Sequence, residues 1–155
     1  MLVDNHKNML KEALRVTQSG AALAFTVWGR KQNIQNFEIL DEVLIKHDLK
    51  SKIPPAKTSY DLGKDPEALR TEMESLGFLN VRIWYQPMNF NFKNADVYTE
   101  AICNTVTAQT ALKKSTPEVR DQIISDLKDL YNQRMGPTVL DPNSFEVMII
   151  TAIKP

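Results

Sequence analysis

Glycine is scarce in this 155-residue chain: there are five, at positions 20, 29, 63, 77 and 136, and no two of them stand in a G-x-G arrangement. Backbone that must approach a pyrophosphate or nucleotide closely needs glycine. A dinucleotide-binding turn and a P-loop are therefore excluded, and no G-x-S-x-G nucleophile elbow is present. Cysteine is scarcer still, with Cys103 alone, so an internal disulfide is impossible and an intracellular, cytoplasmic location is the default expectation. His6 and His47 lie in unrelated surroundings and Cys103 is distant from both, so no metal site is expected. No sign of charge dominates: 19 basic residues balance 19 acidic ones, and no basic cluster recurs along a face. Without that electrostatic footprint a nucleic-acid partner is not expected. Nowhere does an apolar run approach the roughly 20 residues of a membrane helix, and the first residues, MLVDNHKNML, do not form a signal peptide.

What is present is ordinary globular usage, 43% hydrophobic and 25% charged, which suits one domain over residues 1–155 with a modest core. The stretch from Leu10 to Arg30 organises it. Leu10, Ala13 and Leu14 recur at helical spacing while Lys11, Glu12 and Arg15 lie off the stripe, so an amphipathic helix capped by Asp4 or Asn5 should run to Val16. Gly20 suits a left-handed C-terminal cap. Ala21 to Trp28 is apolar almost without a break and, after a Gly turn, reads as a strand covered on both faces, with a buried helix the alternative that periodicity leaves open.

Farther along, Ile34, Phe37, Leu40, Leu44 and Ile45 set out a second helix ending near His47, with Phe37, Leu40 and Leu44 toward the core. His47 at a helix C-terminus, among Lys46, Asp48 and Lys50, reads as a dipole-favoured charge rather than a proton carrier. Pro54-Pro55 puts a loop over 48–59. Asp65-Pro66-Glu67 is a strong helix start, Leu69, Met73 and Leu76 continue it, and Gly77 ends it. Leu79, Val81, Ile83 and Tyr85 alternate with polar neighbours as in a strand, which Pro87 confines to an edge or ends. Over about 91–144 a two-helix insertion is expected: one helix through Tyr98, Ala101, Ile102, Thr105 and Leu112, and a second from Thr116-Pro117-Glu118 through Val119, Ile123, Leu127 and Leu130 to a stop at Gly136-Pro137. FEVMIITAI, Phe145 to Ile153, reads as a central strand.

This succession resembles a known family. Glu12 to Val16, the turn Thr17 to Gly20 and Ala24-Phe25-Thr26-Val27-Trp28-Gly29 are similar to the helix, turn and fifth strand of class I S-adenosylmethionine-dependent methyltransferases, in particular the small-molecule subgroup related to ubiquinone biosynthesis. The family's turn usually reads Leu-Lys-Pro-Gly-Gly; here only Gly20 keeps that pattern. LRTEMESLGFLNV, Leu69 to Val81, resembles the stretch ending in Gly-Phe-x-x-Val before the sixth strand. Met1-Leu2-Val3 resembles the end of the loop after the fourth strand. The resemblance implies an α/β fold equivalent to the C-terminal half of a Rossmann-like methyltransferase sheet: three strands, the last central and antiparallel, with flanking helices.

The same resemblance implies that the family's first four strands, its Gly-rich turn and its ribose-binding acid are missing from this polypeptide. S-adenosylmethionine would then bind only if an N-terminal half completed the domain, and the chain alone would be inactive. Trp28 and Arg30, at the C-terminal end of the first strand, are the candidate substrate-binding residues, with Tyr98 from the inserted helices; no general base and no catalytic residue can be named. The alternative is a non-catalytic remnant serving as an assembly or scaffolding subunit of a protein complex. In either case the strand over 21–28, with no fourth strand beside it and no lysine, proline or inward charge to guard it, is expected to recruit the missing half, a second copy or another subunit.

Overall fold

The computed structural model describes residues 5–50, 60–90, 92–134 and 144–155. These form two compact units. One comprises residues 1–31, 56–88 and 146–155, the other 32–55 and 89–145.

The first unit is α/β. Helix α1, His6–Val16, starts where the Asn5 side chain accepts a hydrogen bond from the Asn8 backbone N–H at 3.1 Å, one of the two caps expected. Its stripe buries Leu10 completely, with Leu14 packed beside it. The helix ends at Val16 as expected, but Gly20 is not its cap. Thr17 caps it, donating through both its backbone N–H and its hydroxyl to the Ala13 carbonyl. Gly20 is left-handed, at φ +79, but three residues later, in the turn that delivers the chain into strand β1, where its N–H donates to the Lys154 carbonyl. The threonine hydroxyl finishes the helix before the glycine is reached.

Strand β1, Ala22–Trp28, pairs antiparallel with β3, Ser144–Ile153, in a register running from Ala22 opposite Ile153 to Trp28 opposite Val147. The order is β1-β3-β2, with β2 spanning Leu79–Asn89, so the last strand is central. This is the three-stranded arrangement expected. Pro87 lies within β2, which is an edge strand, as a residue lacking an N–H requires.

Two expectations about these strands need correction. β1 is not covered on both faces: Leu23, Phe25 and Val27 turn to the core, while Ala22, Ala24 and Thr26 are exposed. In β2, Leu79 is not inward but 51% exposed, and Phe78, 1% exposed, is buried instead. Gly77 at φ +103 and Asn80 at φ +51 twist the strand entry out of the simple pleat, so strict alternation begins only at Val81.

Helix α3, Pro66–Ser75, starts as its sequence dictates: the Asp65 carboxylate accepts from the Ala68 N–H at 2.9 Å and Pro66 occupies the first position. Leu69 and Met73 join Leu10, Phe78, Val81, Met148, Ile150 and Ala152 in the core of this unit. A side chain of that size contributes about 1.5–3 kcal/mol on full burial.

The second unit is helical. α2, Gln35–Lys46, buries Ile39, Leu40, Val43 and Leu44, and Phe37 packs at the margin. The expected first inserted helix is two helices, α4 (Ala95–Cys103) and α5 (Val106–Lys113), so the insertion holds three among the described residues. The break is local chemistry: the Thr105 hydroxyl donates to the Ile102 carbonyl and accepts from the Ala108 N–H, closing one helix and opening the next. α6, Pro117–Arg134, buries Ile123, Leu127 and Tyr131. Its expected stop at Gly136-Pro137 lies outside the described residues, as do Met1-Leu2-Val3 and most of the Pro54-Pro55 loop.

Among the described residues no helix is long and apolar enough to cross a membrane.

Candidate functional site

The C-terminal end of β1 gathers the polar chemistry of the first unit. Open α/β sheets present ligands at such strand ends. Trp28 closes the strand half-buried, its ring centroid 6.4 Å from that of Tyr60 and tilted by 54°. Two residues on, Arg30 makes a two-pronged ion pair: Nε donates to Glu146 Oε1 at 3.0 Å and Nη2 to Oε2 at 2.6 Å. The Arg30 backbone N–H also donates to Oε1, at 2.8 Å, and the Gly29 N–H donates to the Glu146 main-chain carbonyl. The Glu146 side chain is 6% exposed, that of Arg30 43%. Hydrogen bonding to Glu146 holds the guanidinium pKa above its ordinary value, against the opposing pull of burial.

The guanidinium carbon lies over the Tyr85 ring, 4.4 Å from its centre. Tyr85 donates its hydroxyl to the Gly63 carbonyl at 2.7 Å. Burial pushes the Tyr85 phenol upward, and the neighbouring Arg30 charge works the other way. Gly63 ends a short 3₁₀ turn, Asp61–Gly63, set tightly against the end of β1: a Cβ there would overlap the Trp28 carbonyl oxygen and sit 2.8 Å from that of Gly29. A Cβ on Gly29 would sit 2.6 Å from Glu146 Oε1. The chain's own atoms thus fill the space beside both close-approach glycines. Neither forms a cradle for a cofactor, and the described residues of this strand end do not fit S-adenosylmethionine.

Of the three candidate substrate-binding residues, Trp28 and Arg30 stand together at this strand end. Tyr98 belongs to the helical unit, where it is fully buried, stacked on Tyr131 with centroids 4.5 Å apart and met edge-on by Phe92. Burial drives its phenol pKa strongly upward, so it stays protonated at any physiological pH. Glu146, Tyr85 and Gly63 escaped the sequence reading. For Glu146 a signal existed: it is the lone carboxylate in FEVMIITAI, at an inward register position, and a buried charge demands a partner. Tyr85 and Gly63 carried none, since each meets Arg30 or Trp28 only through the tertiary fold.

In the helical unit His47 Nε2 lies 2.7 Å from Asp126 Oδ2, and Lys46 Nζ donates to Oδ1 at the same distance. Burial alone would raise the Asp126 pKa, but these two hydrogen bonds outweigh it and the carboxyl is held below its usual range. This pins the end of α2 to α6, a structural use of His47. His6 pairs with Glu72 in the first unit. Among the described residues no cluster of three or more His, Cys, Asp or Glu is placed to hold a metal ion.

No protein-family model matches the chain, and no curated protein does. Among solved structures it is similar to phosphoethanolamine N-methyltransferase 2 of Haemonchus contortus. In the complex with phosphomonomethylethanolamine and S-adenosylhomocysteine the identity is 15% and the TM-score 0.41, over 99% of this chain and 30% of that one. In the complex with S-adenosyl-L-methionine the identity is 16% and the TM-score 0.43, with the same coverage. A candidate methyltransferase from Bacillus halodurans gives 17% and 0.40, over 98% of this chain and 59% of that one. The chain thus spans about 30% of the length of the Haemonchus enzyme. At these scores the likenesses assign neither family nor activity.

Proposed function

We propose that this chain is the C-terminal half of an S-adenosylmethionine-dependent methyltransferase-type domain acting on a small molecule, and that it is inactive without a partner supplying the cofactor half. One observation carries the reading: the last strand lies antiparallel between the two earlier ones, in the order β1-β3-β2. That is the placement which the resemblance of residues 12–29 and 69–81 to the methyltransferase family implies. The acceptor would lie at the end of β1, beside Trp28 and Arg30. A second reading, a non-catalytic assembly subunit, is favoured by Gly29 and Gly63, whose close approaches serve the chain's own packing rather than a cofactor.

Calorimetry with S-adenosylmethionine tests the first reading. The chain alone should show no specific binding, because a cleft with one wall leaves the adenosine and sulfonium half-solvated. Micromolar binding by the isolated chain would mean that the cofactor half is already here.

Both readings put a partner on the edge of β1 opposite β3, an edge that pairs with no other strand among the described residues: an N-terminal half in the first, a second copy or another subunit in the second. The exposed Ala22, Ala24 and Thr26 offer neither charge nor bulk against it. Thr26→Lys, at an exposed position, should abolish concentration-dependent association in sedimentation while leaving the fold intact. A native chain that sediments as a monomer at all concentrations would remove the edge from the argument.

A further inference from the structure

We propose that Glu146 is a positioning residue that sets the class of ligand the β1 end can take: by neutralising Arg30 it makes that guanidinium a donor for an uncharged acceptor group, a carbonyl or hydroxyl, and not a receptor for phosphate or carboxylate. The inference rests on the placement of the ligand at this strand end. An arginine at the mouth of a site ordinarily signals an anion, since its fork matches carboxylate and phosphate. Here one edge of that fork is already occupied. Nε and Nη2 both donate to the Glu146 carboxylate, which is almost wholly buried and delivers a full negative charge within 3.0 Å of the guanidinium. Nη1 has no partner among the described residues, and the side chain keeps 43% of its exposure.

The open edge is also held still. The Tyr85 ring supports one face of the guanidinium, and the Tyr85 hydroxyl is anchored on the Gly63 carbonyl. Glu146 is fixed in turn by the Arg30 backbone N–H. What remains for a ligand is the outer edge of the guanidinium, two N–H donors on Nη1 and the second one on Nη2, with the positive charge already matched. A neutral oxygen can accept from such donors without meeting net repulsion. An anion gains the same hydrogen bonds but must approach the Glu146 carboxylate, at a Coulomb cost that cancels its attraction to Arg30.

The test follows the Arg30 Nε–H resonance while inorganic phosphate is titrated into the full chain. In the native protein no saturable shift of that resonance is expected. Glu146→Gln removes the charge and keeps an acceptor, and should give saturable phosphate binding at Arg30, at least about tenfold tighter than in the native chain. Glu146→Met, an apolar replacement of similar length, should do the same and serves if the glutamine variant does not fold. A purely structural role for Glu146 would not create phosphate affinity. Saturable phosphate binding at Arg30 in the native chain overturns the inference, and so does a folded variant of either kind that fails to gain it. Should neither variant fold, the native titration decides. None of these outcomes depends on S-adenosylmethionine, so failure here is separable from failure of the methyltransferase reading.

Discussion

Arg30→Ala should lower the unfolding free energy by about 2–3 kcal/mol, and by more than Glu146→Met does. The reason is the asymmetry of the pair. Removing the arginine takes two charge-assisted donors from a carboxylate that is 6% exposed, and breaking a buried pair in this way costs about 3–5 kcal/mol when both partners are buried. The 43% exposure of Arg30 reduces the figure, because water already solvates part of the guanidinium. Removing the carboxylate instead leaves an arginine that water can reach and one backbone N–H, that of Arg30, without its acceptor, at about 1 kcal/mol. Urea denaturation of both variants measures the difference as a shift of midpoint at constant slope. Equal losses, or a larger loss in Glu146→Met, would show that the charge of Glu146 is not buried as the geometry has it. The asymmetry also bears on any kinetic test of this strand end. A defect in Arg30→Ala mixes lost ligand contact with a displaced Glu146, whereas Trp28→Ala leaves the ion pair standing.

Gly63→Ala is the second large effect, about 1–3 kcal/mol, the usual penalty for forcing an extra methyl into a filled space. Its Cβ would overlap the Trp28 carbonyl oxygen, and backbone cannot rotate aside as the tip of a lysine could. The 3₁₀ turn must therefore lift from the end of β1, taking with it the acceptor of the Tyr85 hydroxyl. Gly20→Ala is the control. Gly20 has nothing within 4 Å of a built Cβ, so only its left-handed backbone, at φ +79, opposes the substitution, at about 1 kcal/mol. Beyond stability, Gly63→Ala should shift the fluorescence of Trp28, whose neighbour Tyr60 begins the displaced turn, and Gly20→Ala should not. Matching stability losses in the two, with no change at Trp28, would mean that the turn is not seated against the strand.

The sequence by itself determined the elements whose cause is local. Asp65-Pro66 starts α3 because a carboxylate and a proline satisfy the first turn wherever that turn lies. The stripes of α1 and α6 bury Leu10, Ile123 and Leu127 because helical spacing puts them on one face. The nearly all-apolar run from Val147 to Ile153 pointed to a central β3, since such a strand is most stable between neighbours. Local signals were also where the misreadings arose. Thr105 used short-range side-chain bonds to end a helix that periodicity carried on to Leu112, and Thr17, not Gly20, capped α1 at the expected end, Val16.

Only the tertiary structure decided the chemistry at the end of β1. Trp28 and Arg30 were visible because they stand at the C-terminal end of a strand, where open α/β sheets put their ligands. What Arg30 does there depends on Glu146, 116 positions away along the chain. Tyr85 and Gly63 reach the same place from a second strand and a turn. A pairing across that separation leaves no periodic trace, because it is fixed by the antiparallel register that sets Trp28 opposite Val147, and register is a property of two strands meeting rather than of either one.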